Sequence, residues 1–154
     1  MHDYTYNRQA LYDYEILEKY EAGLVLAGFE VKSIRGGHIS LQGAYVVIKN
    51  EEAFLLNATV PPYQPKNAPM SYEPTRSRKL LLGKAEIRSL IGKTQQRGLT
   101  LVPLRVYNKS GKIKLEFALA RGKKEFDKRE KIKKREFQRE KERTIRSKGD
   151  DRLR

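Results

Sequence analysis

From Asp13 to Leu26, apolar and polar positions alternate loosely through YEILEKYEAGLVL, rich in aromatic and branched side chains, which predicts a strand with a break near Gly23. The next stretch, GFEVKSIRGG, spaces Val31 and Ile34 three apart and ends on Gly36 and Gly37, predicting a short helix with a glycine stop. AYVVIKNEEAFLLNATV reads as two β-rich runs folded at Asn50-Glu51-Glu52. Residues 61–78, PPYQPKNAPMSYEPTRSR, hold five of the six prolines without periodicity, so an extended surface loop is expected.

Leu80, Leu81, Leu82, Ile87, Leu90 and Ile91 outline a helical stripe through LLLGKAEIRSLIGK, closed by Gly92 or Gly98. TLVPLRVYNKSGKIKLEFALA reads as a second hairpin turning at Asn108-Lys109-Ser110-Gly111. The total is five or six short strands with one or two small helices between them. This mainly β pattern fits an antiparallel barrel of the OB type, a fold whose exposed face commonly binds oligonucleotides.

The C-terminal stretch breaks the pattern. Its apolar residues, Phe126, Ile132, Phe137, Ile145 and Leu153, form no continuous stripe, yet the Lys, Arg, Glu and Gln around them are good helix formers. Such a tail is expected to be disordered alone and helical against a polyanionic groove.

Charge sharpens that division. Of the formal +14 carried by 154 residues, the tail from Arg121 onward supplies sixteen Lys or Arg against eight Asp or Glu. The expected organisation is therefore a barrel over residues 1–120 and a basic tail over 121–154. A pI near 10.0 favours phosphate-rich partners more than it reflects solubility alone. The absence of cysteine excludes disulfides, thiolate catalysis and Cys-ligated zinc. MHDYTYNRQALYDYEILEKY has no apolar segment behind a basic start, and GLVLAGF is far short of the roughly 20 residues that span a bilayer, so a soluble, cytoplasmic protein is expected.

No catalytic constellation emerges. His2 falls in an expected frayed terminus and His38 in a Gly-rich turn, neither with carboxylates at ligand spacing, and the glycines of GLVLAGF and IRGGHIS lack a phosphate-loop pattern. Glu51 and Glu52, adjacent in a hairpin, read as solvated. No metal, cofactor or enzymatic activity is expected. Tyr4, Tyr6, Tyr12, Tyr14, Tyr20, Tyr63 and Tyr72, interleaved with Arg8, Lys19, Lys66, Arg76, Arg78 and Lys79, are a mixture that stacks bases and pairs phosphates. The competing reading makes Tyr14 and Tyr20 strand residues with rings partly in the core.

The ordered series EAGLVLAGFEVKSIRGG, PTRSRKLLLGKAEI, GLTLVPLRVYNKSGKIKL and ARGKKEFDKRE, followed by a basic tail, resembles the SsrA-binding protein family, also called small protein B. That resemblance implies an OB-like barrel that binds transfer-messenger RNA and delivers it to stalled ribosomes for trans-translation. It also implies a tail that enters the small-subunit decoding centre and folds along the empty messenger channel, and contact with elongation factor Tu through the shared RNA. Asn7, Glu21, Lys32, Arg35, Leu81 and Lys112 match family positions associated with the RNA-binding barrel. Lys32, Arg35 and Lys112 suit phosphates, Asn7 a base edge or ribose, and Glu21 a base amino group or an Arg, while Leu81 fits core as well as contact. Gly122, Lys123, Lys124, Asp127, Lys128 and Arg129 match the elements linked to decoding-centre entry. Tyr12 and Phe126 stand where relatives often have His, so no role for a protonated imidazole carries over. A structural ribosomal or ribosome-assembly protein shares the same body plan. An RNA-modifying or RNA-cleaving enzyme is disfavoured by the missing constellation.

Binding dominated by phosphates makes log K fall linearly with log salt, with a slope of about −0.9 per phosphate neutralised. Lys32→Ala and Lys112→Ala are each expected to reduce the slope measured on transfer-messenger RNA by about one unit.

Overall fold

The computed structural model describes residues 2–64, 66, 68–123 and 135–140. In chain order these form β1 (His2–Tyr6), α1 (Arg8–Asp13), β2 (Tyr14–Leu24), α2 (Gly28–Arg35), β3 (Tyr45–Lys49), β4 (Glu52–Leu56), β5 (Arg78–Leu81), α3 (Lys84–Thr94), β6 (Leu99–Lys109) and β7 (Lys112–Gly122). All strand pairs are antiparallel. The pairings run β6, β3, β4, β5, β2, β7 and back to β6, closing a circuit, while β1 joins the outer edge of β6. The β3–β6 link is the single pair Val46 to Leu101, and β1 takes the other end of the same edge, opposite Arg105 to Asn108.

Both expected hairpins form. Asn50 and Glu51 carry φ values of 53° and 62°, and Ser110 and Gly111 values of 51° and 76°, so each two-residue turn has the left-handed backbone that matches strand twist. Alternation along the strands places Leu55, Leu80, Leu101, Val106, Leu115 and Phe117 on one face, where they pack with Ile34 of α2 and Leu90 of α3. A smaller cluster lies on the opposite face: Val102, Leu104, Ala118 and Ala120 pack beneath Ala10 of α1.

Four sequence expectations change. The terminus expected to fray forms β1, and a third helix, α1, follows it; Asn7 caps that helix, its Oδ1 accepting from Ala10 N–H at 3.3 Å. Polar alternation in HDYTY is too short a signal to separate an edge strand from a loose end. Leu80 and Leu81 belong to β5, not to the helical stripe, because the run alternates: Leu80 is buried and Leu81 is 56% exposed. The helix starts only after Gly83 and runs past Gly92 to Thr94. Finally, β7 continues through Arg121 and Gly122, which pair with Leu99 and Tyr14. The chain divides into two units, Met1–Gly122 and Lys123–Arg154. In the second, residues 135–140 are helical with Phe137 exposed.

The proline-rich stretch is an irregular segment as expected, but its end is fastened inside the protein. Arg78 is 1% and Glu30 0% exposed. Arg78 Nε donates to Glu30 Oε2 at 2.8 Å, Nη1 to the carbonyls of Ala58 (2.8 Å) and Arg76 (3.1 Å), and Nη2 to the Tyr72 hydroxyl (3.0 Å) and the Pro74 carbonyl (2.9 Å). All five guanidinium N–H groups thus have acceptors. Arg76 Nη2 also grips Glu30, the Tyr72 hydroxyl lies 3.0 Å from it, and Ala27 N–H donates to it at 2.9 Å. Phe29 packs edge-on against Tyr72 with ring centroids 4.7 Å apart. Burial works against ionisation of Glu30, but Arg76, the Ala27 amide and Arg78 together hold its carboxyl below the ordinary carboxylate value.

Arg78→Ala removes the fully buried partner of the Glu30 carboxylate together with three carbonyl contacts, and is expected to cost roughly 3–5 kcal/mol in denaturant unfolding at neutral pH. Because the folded pKa of Glu30 lies below its unfolded value of about 4.3, its stabilising contribution is complete above that pH and is lost as pH falls through the folded pKa. Acid titration of Glu30→Gln should therefore show a flatter decline below about pH 4.3 than the parent chain.

Candidate nucleic-acid interface

Helix α1 covers only one end of the outer face of β2, β7 and β6. Beyond it, register aligns two rows on the outer face, exposed at Leu81 but with Tyr107 itself buried at 1%. Leu81, Gly23, Lys114, Tyr107 and Asp3 are successive partners across five strands, and Glu21, Glu116, Arg105 and Tyr6 form the row beside them. Gly23 leaves room for Leu81, since a Cβ there would stand 3.3 Å from Leu81 Cδ1.

At the centre, the Tyr107 hydroxyl donates a short hydrogen bond to Glu21, and the Arg105 guanidinium lies 4.1 Å above the Tyr107 ring. Arg105 also bonds Asp3 at 2.8 Å and Glu116 at 3.3 Å, and Lys109 Nζ approaches Glu21 at 3.2 Å. The Tyr107 hydrogen bond, with Lys109 assisting and partial burial opposing, holds the Glu21 carboxyl below its usual value. Burial and the Glu21 carboxylate push the Tyr107 phenol well up. The result is a fixed anionic acceptor within a network of mixed charge, suited to amino or imino donors of a base.

The sequence-selected residues gather around this end. Glu21 sits in the row just described, and exposed Leu81 flanks it as surface. Lys112 begins β7 opposite Lys109. Arg35 Nη2 donates to the Gly111 carbonyl at 3.1 Å, drawing the end of α2 to the β6–β7 turn beside Lys112. Lys32, one turn earlier on α2, is exposed, with Nζ 6.0 Å from the Tyr63 ring centroid. Asn7 stands apart: its Nδ2 donates to the Pro103 carbonyl at 2.9 Å while Oδ1 caps α1, so its amide is largely committed to the fold. It lines a cavity of about 710 Å³ between residues 5–14 and 40–45. Gly122 ends β7 and Lys123 follows it; Lys124, Asp127, Lys128, Arg129 and Phe126 lie outside the described residues.

Three residues expected to face RNA do otherwise: Tyr72, Arg76 and Arg78 are spent on Glu30. Conversely, Arg105, Tyr107, Lys109 and Lys114 went unnoticed. Their facing depends on a register shift between Pro103 and Arg105 that strict alternation does not reveal. Among the described residues, no group of three or more His, Asp and Glu is placed to hold a metal ion, and no helix is long and apolar enough to cross a membrane.

A basic sheet protein with cations and an anchored acceptor at one hairpin end belongs, as a class, with polyanion-binding proteins. Residues 4–147 match the family described as SmpB protein. The chain is 55% identical over 139 residues to the SsrA-binding protein of Trichodesmium erythraeum, covering 90% of this chain and 89% of that one. It is 52% identical over 143 residues to the SsrA-binding protein of Paraburkholderia xenovorans, covering 93% and 97%. A solved structure described as "tmRNA-SmpB: a journey to the center of the bacterial ribosome" matches with TM-score 0.64 and 48% identity, over 79% of this chain and 85% of that one. The chain belongs to the SmpB, or SsrA-binding protein, family.

Tyr107→Phe keeps the ring beneath Arg105 and removes only the donor to Glu21. Side-chain carboxyl NMR should then show the Glu21 pKa rising toward its ordinary value; an unmoved titration would mean that the neighbouring cations alone set it.

Proposed function

We propose that this chain is a non-catalytic, cytoplasmic RNA-binding adaptor that binds transfer-messenger RNA and delivers it to stalled ribosomes for trans-translation. The observation that carries the reading is the family match over residues 4–147, which takes in both the sheet and most of the basic tail. The strand circuit supports an OB-like barrel as the RNA-holding part, with Glu21, Lys32, Arg35, Leu81 and Lys112 at its contact end and Asn7 supporting α1. Three of these are cations that replace condensed counterions at phosphates; Glu21 supplies an acceptor that phosphate cannot satisfy and a base can. Elongation factor Tu meets the assembly through the same RNA.

The tail from Lys123, with Gly122 as its junction, enters the decoding centre through Lys123, Lys124, Asp127, Lys128 and Arg129 and becomes helical in the vacant messenger channel. Residues 135–140 are already helical, and phosphate contacts would offset the entropy of extending that order along the channel. Messenger already in the channel would exclude it, so the tail reports vacancy.

RNA recovered with the purified protein tests the adaptor reading. Transfer-messenger RNA in substoichiometric complexes is expected; retention on every ribosome in high salt without that RNA would instead identify a structural ribosomal protein. For the tail, replacing Asp127, Lys128 and Arg129 together by Ala alters net charge by one unit, against three for Lys133, Lys134 and Arg135. The first triple variant should keep affinity for transfer-messenger RNA within about fivefold yet lose peptide tagging on stalled ribosomes. Greater damage from the second would assign the tail's action to bulk charge.

A further inference from the structure

Tyr63 is 51% exposed, on a segment fastened to the interior on either side of it. The fastening begins just before it. Val60 is fully buried, its N–H donates to the Pro74 carbonyl at 3.0 Å, and its own carbonyl lies 2.7 Å from the Tyr72 hydroxyl. Pro61 and Pro62 follow, each with φ fixed by its ring, so Tyr63 is carried on a short, stiff arm. The far end of the segment is held through Tyr72 and Arg76 to Glu30. Glu30 is two residues from Lys32 on α2, so the same helix that anchors the segment inward presents Lys32 outward, 6.0 Å from the Tyr63 ring.

Lys32 and Arg35 are three apart on α2 and share a face, and Arg35 is tied to the turn that carries Lys112. An exposed ring beside a track of cations is the arrangement that binds an unpaired nucleotide: the base stacks and the adjoining phosphate is neutralised. A stiff arm removes much of the ordering cost that a flexible loop would incur on binding. We propose that Tyr63 and Lys32 form a stacking site for an unpaired nucleobase of the bound RNA, the ring taking the base and the ammonium its phosphate. The site rests on the RNA-adaptor reading and adds to it a preference for unstacked nucleotides.

Stacking and counterion release separate in a salt series. With the full chain and transfer-messenger RNA, Tyr63→Leu should weaken binding roughly five- to hundredfold at every salt concentration and leave the salt slope unchanged. Tyr63→Phe, which keeps the ring, should bind within about twofold of the parent, whereas Lys32→Ala should lower the slope by about one. On a fully paired RNA duplex, Tyr63→Leu should make no difference. The site is overturned if Tyr63→Leu binds transfer-messenger RNA like the parent, if it loses as much on the duplex, or if Tyr63→Phe loses as much as Tyr63→Leu. Should the parent chain itself fail to bind transfer-messenger RNA, the adaptor reading falls separately. A single-stranded oligonucleotide then decides the stacking site by the same comparison: a Tyr63→Leu deficit sustains it and equal binding removes it.

Discussion

The buried pair of Glu30 and Arg78 is the contact on which the arrangement of the surface depends. Replacing such a pair by apolar residues is often neutral or favourable, so its value is not simply added stability. What it imposes is geometry. Five N–H donors and one carboxylate are satisfied together only when α2, β5 and the segment before β5 stand as they do. A shift of any one would leave a buried charge without its partners, a penalty large against the marginal stability of a domain. The exposed cations of α2 inherit their positions from this interior knot.

The outer face of the long strands shows a second division of labour. Under α1 it is a small hydrocarbon core built from alanines and short branched chains. A few residues further along, the same strands set Glu21, Lys114 and half-buried Arg105 about the buried ring of Tyr107. One sheet thus carries a helix at one end and a cluster of charged side chains at the other, and Asn7 sits where the two meet, joining α1 to the Pro103 carbonyl. Its amide, bonded to the Pro103 carbonyl and the Ala10 N–H, fixes where α1 sits on the sheet.

Long, strongly patterned segments were legible in the sequence: β2, α2, the two hairpins and α3 all follow from periodicity, glycine stops and turn residues. The edge strand and α1 were not, because five residues of mixed polarity carry too little pattern. Leu80 to Leu82 misled by reading equally well as helix or strand, and only Gly83 separates the two outcomes. The exposure of Lys32, Arg35 and Lys112 was legible, since their charge alone directs them outward. Tyr107 was hidden. Counting alternation from buried Leu101 would send Arg105 and Tyr107 inward, but Leu104 is accommodated as an extra residue at the register shift, and everything after it changes side. Arg78 was hidden for the opposite reason: nothing local distinguishes an arginine whose carboxylate waits 48 residues away.

The closed pairing circuit has a bearing on how the molecule behaves among copies of itself. Each of its six strands has neighbours on both sides, which leaves the single-pair β3–β6 seam as the most weakly paired place on the circuit, where another chain could be templated. The seventh, β1, pairs with β6 alone among the described residues; it is five residues long, irregular between Asp3 and Thr5, and bridged at Asp3 to Arg105. A formal charge of +14 adds to this by setting identical molecules against one another. A protein whose surface is adapted to wait for a polyanion is by the same means kept from its own kind.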